Sequence, residues 1–352
     1  MKYQYWTPSR NAHMSTKDGS RSPENSEAML STARSVIRTC LQVRREEDVL
    51  VITDPDTAEV GQCLYEEAAR VTDRILLVMM PPTQKTGKEP PPPVSDIMRK
   101  NRVIVLATKD SMTHTRARAA ATREGARIVS MPGIESITFE SGGMTADYNA
   151  LQKEISAMGS IFRRRRLVNV KSEAGTDVEF MTGDRWILED TGICNRPGQI
   201  ANLPAGKVFV LPKEGSMNGT IVIDGSWEGV MLEEPLTLQV EGGVVKEVSG
   251  GEIADEISAF FDVAKLGLRS SRKEQVWTVA EFGFGMNPKS TVLRGSKVED
   301  PTVRGSCYFK FGDNTHIGGS ARVGIQLQGS LVTPEISLEG SVIVSDGKIA
   351  TR

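Results

Sequence analysis

Histidine and cysteine are scarce in this 352-residue chain, which has only His13, His114 and His316, and Cys40, Cys63, Cys194 and Cys307. The cysteines are widely scattered and no pair has zinc-ligand spacing, so the expected compartment is a reducing cytoplasm. So few imidazoles severely limit any histidine-based metal site. No apolar run approaches the roughly 20 residues of a membrane-spanning helix. The N-terminus has no continuous apolar stretch either, so no signal peptide is expected. An excess of one charge is also missing: 43 basic residues face 45 acidic ones, for a net charge of −2. That balance argues against a nucleic-acid or membrane-surface binder. The basic run Arg163 to Arg166 reads as a solvated face that complements a helix C-terminus. No G-x-G-x-x-G follows the first strand and no P-loop occurs, so no nucleotide cofactor is expected.

What is present falls into three parts. Residues 1–26 are polar and read as a flexible tail that includes His13. Residues 27–166 alternate strand and helix. Helical spacing runs from Ser26 to Val43, β-branched strands are expected at 48–53, 74–80, 102–108 and 126–130, and helices lie between them. This alternation predicts an α/β fold: a parallel sheet flanked by helices. In such sheets ligands sit beyond the carboxyl ends of the strands. The loop K-D-S-M-T-H-T-R-A-R lies there, so Ser111, Thr113, His114, Thr115 and Arg118 are candidate substrate-binding residues, or else caps and local hydrogen-bond partners of the next helix. Tyr148 to Phe162 is a further amphipathic helix before the expected boundary at 166. Residues 167–352 carry short strands separated by Gly-rich turns and a helix near 252–264. They predict an α+β domain with a curved, mainly antiparallel sheet.

The stretch from Trp277 to Gln328 is the candidate site. Its A-E-F-G-F-G-M-N-P, G-S-C-Y-F-K-F-G-D-N and G-G-S-A-R-V-G-I-Q-L-Q segments alternate apolar and polar residues. Gln326 and Gln328 are two apart and point to one side of a strand, as do Tyr308 and Lys310.

These segments, with V-L-V-I-T-D, E-P-P-P-P-V, S-M-T-H-T-R-A-R and N-L-P-A-G-K-V-F-V-L-P-K-E-G-S-M-N-G-T, resemble the aminopeptidase T family of metallopeptidases. The broader relatives include 2,5-dihydroxypyridine dioxygenases. The resemblance spans most of residues 35–350 and implies the fold and a homodimer. It also implies that active members bind one or two divalent metals through Glu, His and Asp. Here the first Glu is kept as Glu281. The second carboxylate position falls near Pro301, beside Glu299 and Asp300. Tyr308 stands at a His position, and Gln326 and Gln328 stand at the final His and Asp. Neutral amides are poor ligands for a transition metal. The resemblance therefore describes a divergent member with a degenerate metal site, and no cofactor or bound metal is expected.

The expected function is metal-independent acid/base chemistry (hydrolysis, cyclisation or rearrangement) on a small molecule or peptide end, in a pocket between the two domains. Glu281, Tyr308, His316 and Asp313 are the candidate catalytic residues. Glu281 serves as acid or base if burial raises its pKa, and Asp313 pairs with His316. Gln326, Gln328 and Lys310 are candidate substrate binders, Lys310 for an anionic group. Two alternatives remain: a non-catalytic ligand-binding or structural homologue, and a metal-dependent aminopeptidase with altered ligands.

Overall fold

A computed structural model describes residues 26–183 and 188–350. The expected tail, with His13, lies outside the described residues except for Ser26. Ser26 caps the first helix by accepting the Met29 amide through its side chain. Two compact units form. One holds residues 26–149 and 192–204, the other residues 150–183, 188–191 and 205–350.

The first unit has a five-stranded, wholly parallel sheet. Its strands are β1 (Val49–Thr53), β2 (Ile75–Met79), β3 (Val103–Ala107), β4 (Arg127–Ser130) and β5 (Ile200–Asn202), in the order β2-β1-β3-β4-β5. Helix α1 (Glu27–Arg34) runs on as a π-helical turn over Ser35–Cys40, and α2 is Ala58–Ala69. Helices α3 (Pro92–Met98) and α4 (Arg116–Arg123) pack Val94, Met98, Ala117 and Ala121 against Leu50, Ile52, Ile104, Leu106 and Ile128 of the sheet. Every residue of β1 and β3 is buried, which explains their unbroken runs of Val, Ile and Leu.

β5 is the element that pattern reading misses. It has only three residues, yet it returns the chain to the parallel sheet next to β4. Helix α5 (Tyr148–Phe162) ends before the expected division at 166, yet from residue 150 onward it belongs to the second unit. Its Phe162 ring stacks on Phe284 at 5.7 Å, and its Glu154 accepts from the Arg304 guanidinium.

The second unit contains helix α6 (Gly251–Leu266) and two antiparallel sheets, of eight and seven strands. The strands are antiparallel as the turns predict, but they divide between two sheets. The seven-stranded sheet runs Val230–Met231, β6 (Ser226–Trp227), β9 (Gln326–Leu331), β8 (Cys307–Gly312), β7 (Val279–Gly285), Lys207–Val210 and Leu188–Asp190. One of its faces carries Phe282 and Phe309. Phe282 meets Phe180 of the eight-stranded sheet edge-on at 5.2 Å. The alternate residues, Glu281, Gly283, Tyr308, Lys310 and Gln328, form the other face. At the start of β7 the register shifts between Val279 and Glu281, which leaves Ala280 as a bulge. Just before it, Thr278 bridges to Val244, and the Val279 amide donates to the Gly243 carbonyl. The bulged strand thereby turns the corner from one sheet to the other. Among the described residues, no helix is long and apolar enough to cross a membrane.

Candidate functional site

Three neighbouring strands place the centre of the site. Glu281 on β7 stands opposite Lys310 on β8, which stands opposite Gln328 on β9. The Glu281 side chain has no solvent exposure, and its carboxylate lies 2.9 Å from the Lys310 ammonium. The Tyr308 hydroxyl donates to Glu281 Oε1 at 2.7 Å. The Tyr308 ring fits because residue 283 is glycine; a Cβ there would stand 2.6 Å from the ring. His316 Nε2 is 3.5 Å from Glu281 Oε2, too long for a fully formed hydrogen bond, so Oε2 is left without a hydrogen-bond partner.

Burial alone would raise the Glu281 carboxyl. The Lys310 ammonium, with His316 and the Tyr308 hydrogen bond, outweighs that and lowers it to about 2. Glu281 is therefore a fixed carboxylate, which corrects the expectation of a raised, proton-exchanging group. Tyr308 is pushed well above its ordinary value by burial and by the neighbouring Glu281 charge. It is a neutral phenol, wholly buried, with its proton committed to Glu281. The groups of this cluster that reach solvent are His316, 32% exposed, and Lys310, 20% exposed.

Asp313 does not pair with His316. Its Oδ1 accepts the Thr315 amide and hydroxyl, and its Oδ2 accepts the Val323 and Gly324 amides at 3.0 Å. Burial would raise its carboxyl, but these bonds lower it. Asp313 thus clips together the loop whose short 3₁₀ turn, Thr315–Ile317, carries His316. The Gln326 amide donates to the Asp313 carbonyl, and the Gln328 amide faces the Lys297 carbonyl at 3.5 Å. Gln328 lies in the Glu281 row, whereas Gln326 serves the loop.

The row has a fourth member that pattern reading misses. Glu228 follows β6 directly and accepts the backbone N–H of Gln328 at 2.8 Å. Lys297 donates to its other oxygen at 2.5 Å. Burial pushes its carboxyl up, and Lys297 pulls part of that back. Its backbone is left-handed, at φ 52°, and the next residue is Gly229 at φ 84°. A hairpin turn of this type favours Asn-Gly. A Glu-Gly pair between two short strands was the available signal that the side chain is needed there.

The loop candidates Ser111, Thr113, His114, Thr115 and Arg118 belong to the other unit, and Ser111, Thr113, Thr115 and Arg118 make local hydrogen bonds. The Thr113 hydroxyl lies within 3.3 Å of Ser111, Ser130 and Asn202 oxygens, and Arg118 Nε donates to the Thr113 carbonyl. His114 is exposed and has an interaction of its own. Thr115 caps α4, accepting the Arg118 amide at 3.2 Å. Thr115→Ala is expected to cost about 1 kcal/mol in chemical denaturation, the usual value of such a cap.

The resemblance raises a divalent metal at the Glu281 centre, and the donor set does not fit one. An ammonium stands against the carboxylate, and both glutamines turn their amide nitrogens toward backbone carbonyls. Among the described residues, no three His, Cys, Asp or Glu side chains gather as a ligand set.

Comparison with known proteins agrees with this architecture. A curated relative, 2,5-dihydroxypyridine 5,6-dioxygenase of Pseudomonas putida KT2440, is 23% identical over 212 residues, 56% of this chain and 58% of that protein. The aligned region thus spans under two thirds of the relative. The solved structure of 2,5-dihydroxypyridine dioxygenase from the same organism superposes with a TM-score of 0.76 at 17% identity, covering 92% of this chain and 97% of that one. Wild-type AmpT of Thermus thermophilus superposes with a TM-score of 0.67 at 13% identity, covering 92% and 99%. At these identities the two likenesses concern the fold. The 2,5-dihydroxypyridine 5,6-dioxygenase (NicX) family model matches residues 28–351, and the chain belongs to that family.

Proposed function

We propose that the chain is an enzyme that moves a proton on a small polar molecule, with His316 as the base and Lys310 as the partner of the anion formed. One observation carries this reading. The buried Glu281 carboxylate contacts three side chains, and of these only Lys310 and His316 are open to solvent. Glu281 fixes both. Its negative charge favours the imidazole form with the proton on Nε2, so Nδ1 is the nitrogen available to substrate. The substrate O–H bond breaks, the proton moves to Nδ1, the oxyanion pairs with Lys310, and Glu281 stabilises the imidazolium. The family supports a hydroxylated heteroaromatic ring as the substrate class, since its members are named for 2,5-dihydroxypyridine.

The test uses 2,5-dihydroxypyridine, monohydroxypyridines and hydroxypyridine carboxylates as probes, with turnover followed by absorbance and product mass. His316→Gln is expected to lower turnover by roughly 10²–10⁴-fold while leaving the melting temperature in place. Full turnover by that variant overturns the assignment. Binding that Lys310→Met weakens, without any product from the unmodified chain, would instead favour the non-catalytic reading.

A further inference from the structure

We propose that the second unit holds a further binding site, for one small neutral ring bearing an O–H or N–H donor, walled in part by the loop that carries His316. Three observations carry this. First, a cavity of about 160 Å³ lies between the turns at Glu214 and Gly243, the start of β7 at Val279, and Ala321 of that loop. Glu281, Lys310 and His316 take no part in its lining. A cavity of about 150 Å³ is enough to hold benzene, so this space suits one six-membered ring. Second, Gln275 lines the cavity, and its side-chain carbonyl oxygen is buried without a hydrogen-bond partner among the described residues. A buried acceptor in that state is unfavourable, and a donor on the ligand relieves it. Third, the rest of the lining suits a neutral molecule. Val244 and Val279 supply apolar surface, and the charges of Lys213 and Glu214 oppose each other. The site also reaches the His316 loop. Ser320 lines the cavity, its amide donates to Glu214 at 2.9 Å, and the next amide, that of Ala321, donates to the Asn314 side chain. A ring in the cavity touches both partners of the Glu214–Ser320 bond and so steadies the loop that positions His316.

Binding here does not depend on the proposed function, and the test reads binding and amide exchange rather than turnover. The full chain is titrated by calorimetry with phenol and with 2-pyridone, and with benzene as a ring of the same size that has no donor. Hydrogen exchange of the loop amides is followed in parallel. Phenol and 2-pyridone are expected to bind saturably, one per chain, and roughly tenfold more tightly than benzene, the worth of one well-made hydrogen bond. Both should slow exchange at the Ser320 and Ala321 amides. Gln275→Leu should remove the preference over benzene. Val244→Phe should fill the cavity and abolish binding of all three. His316→Gln should leave the phenol affinity in place, because His316 does not line the cavity. Loss of phenol binding in that variant would put the ring at the Glu281 centre and overturn the proposal. So would the absence of saturable binding by both donor-bearing rings, or binding that Gln275→Leu and Val244→Phe both leave unchanged.

Discussion

Lys310→Met is expected to destabilise the fold by about 3–5 kcal/mol at neutral pH, because it strands a buried carboxylate without its counter-charge. Glu281 cannot swing into water: its side chain is wholly enclosed and its Oε1 is tied to Tyr308. The sign of the pH dependence follows from the direction of the shift. The Glu281 carboxyl is depressed in the folded chain, from 4.5 to about 2. Its contribution is therefore fully present above about pH 4.5 and is lost as pH falls toward 2. The gap between Lys310→Met and the unmodified chain should thus be widest near neutrality and shrink in acid. Urea denaturation across that range checks both statements. The double substitution Lys310→Met with Glu281→Gln should recover most of the loss, since a neutral amide needs no counter-ion and can still accept from Tyr308. A single variant within about 0.5 kcal/mol of the unmodified chain at pH 7 would show that the pair is solvated or unformed.

Gly283→Ala is expected to cost about 1–3 kcal/mol or more, with disruption of the site as well as the core. The new methyl would stand 2.6 Å from both the Tyr308 hydroxyl oxygen and Cζ, and 2.7 Å from Cε1. Tyr308 is fully buried, so its ring has no solvent-facing position to retreat to without breaking the bond to Glu281. The glycine's role is thus space, not backbone freedom. Combining Gly283→Ala with Tyr308→Ala tests this. The two losses should fall short of their sum, because each removes the other's cause. Strict additivity in denaturation would mean the ring has already moved aside.

Much of the architecture was legible because burial writes a period into the chain. β1 and β3 are continuous β-branched runs since both their faces are covered, and α5 shows its apolar stripe from Tyr148 to Phe162. β5 was not legible: three residues, Ile200–Asn202, are too few for any period to emerge. The site was legible in part. The parity of β7, β8 and β9 predicts that Glu281, Tyr308, Lys310 and Gln328 share a surface. It does not say which strands are neighbours, so the pairing of Glu281 with Lys310, and the low carboxyl that results, needed the register. Asp313 and His316 lie three apart in sequence and look like partners. The four hydrogen bonds that Asp313 makes to its own loop decide otherwise. Glu228 was hidden by distance, since it lies 100 residues from the Gln328 backbone N–H that it accepts.

The bulge at Ala280 has a consequence for how the site can adapt. β7 is paired on both sides within one sheet, and just before the bulge its chain is tied into the other sheet. β8 is likewise an interior strand, between β7 and β9. Glu281 and Lys310 therefore sit on interior strands whose amides are expected to exchange slowly, and their geometry is fixed by that pairing. His316 alone of the central cluster rides on a loop, and that loop is tied by the Asp313 and Glu214 carboxylates and the Asn314 side chain. On the proposed function, adjustment to different substrates is confined to one side chain approaching a rigid charge pair. Variation in what this site accepts should arise in residues 313–324 rather than in the strands beneath them.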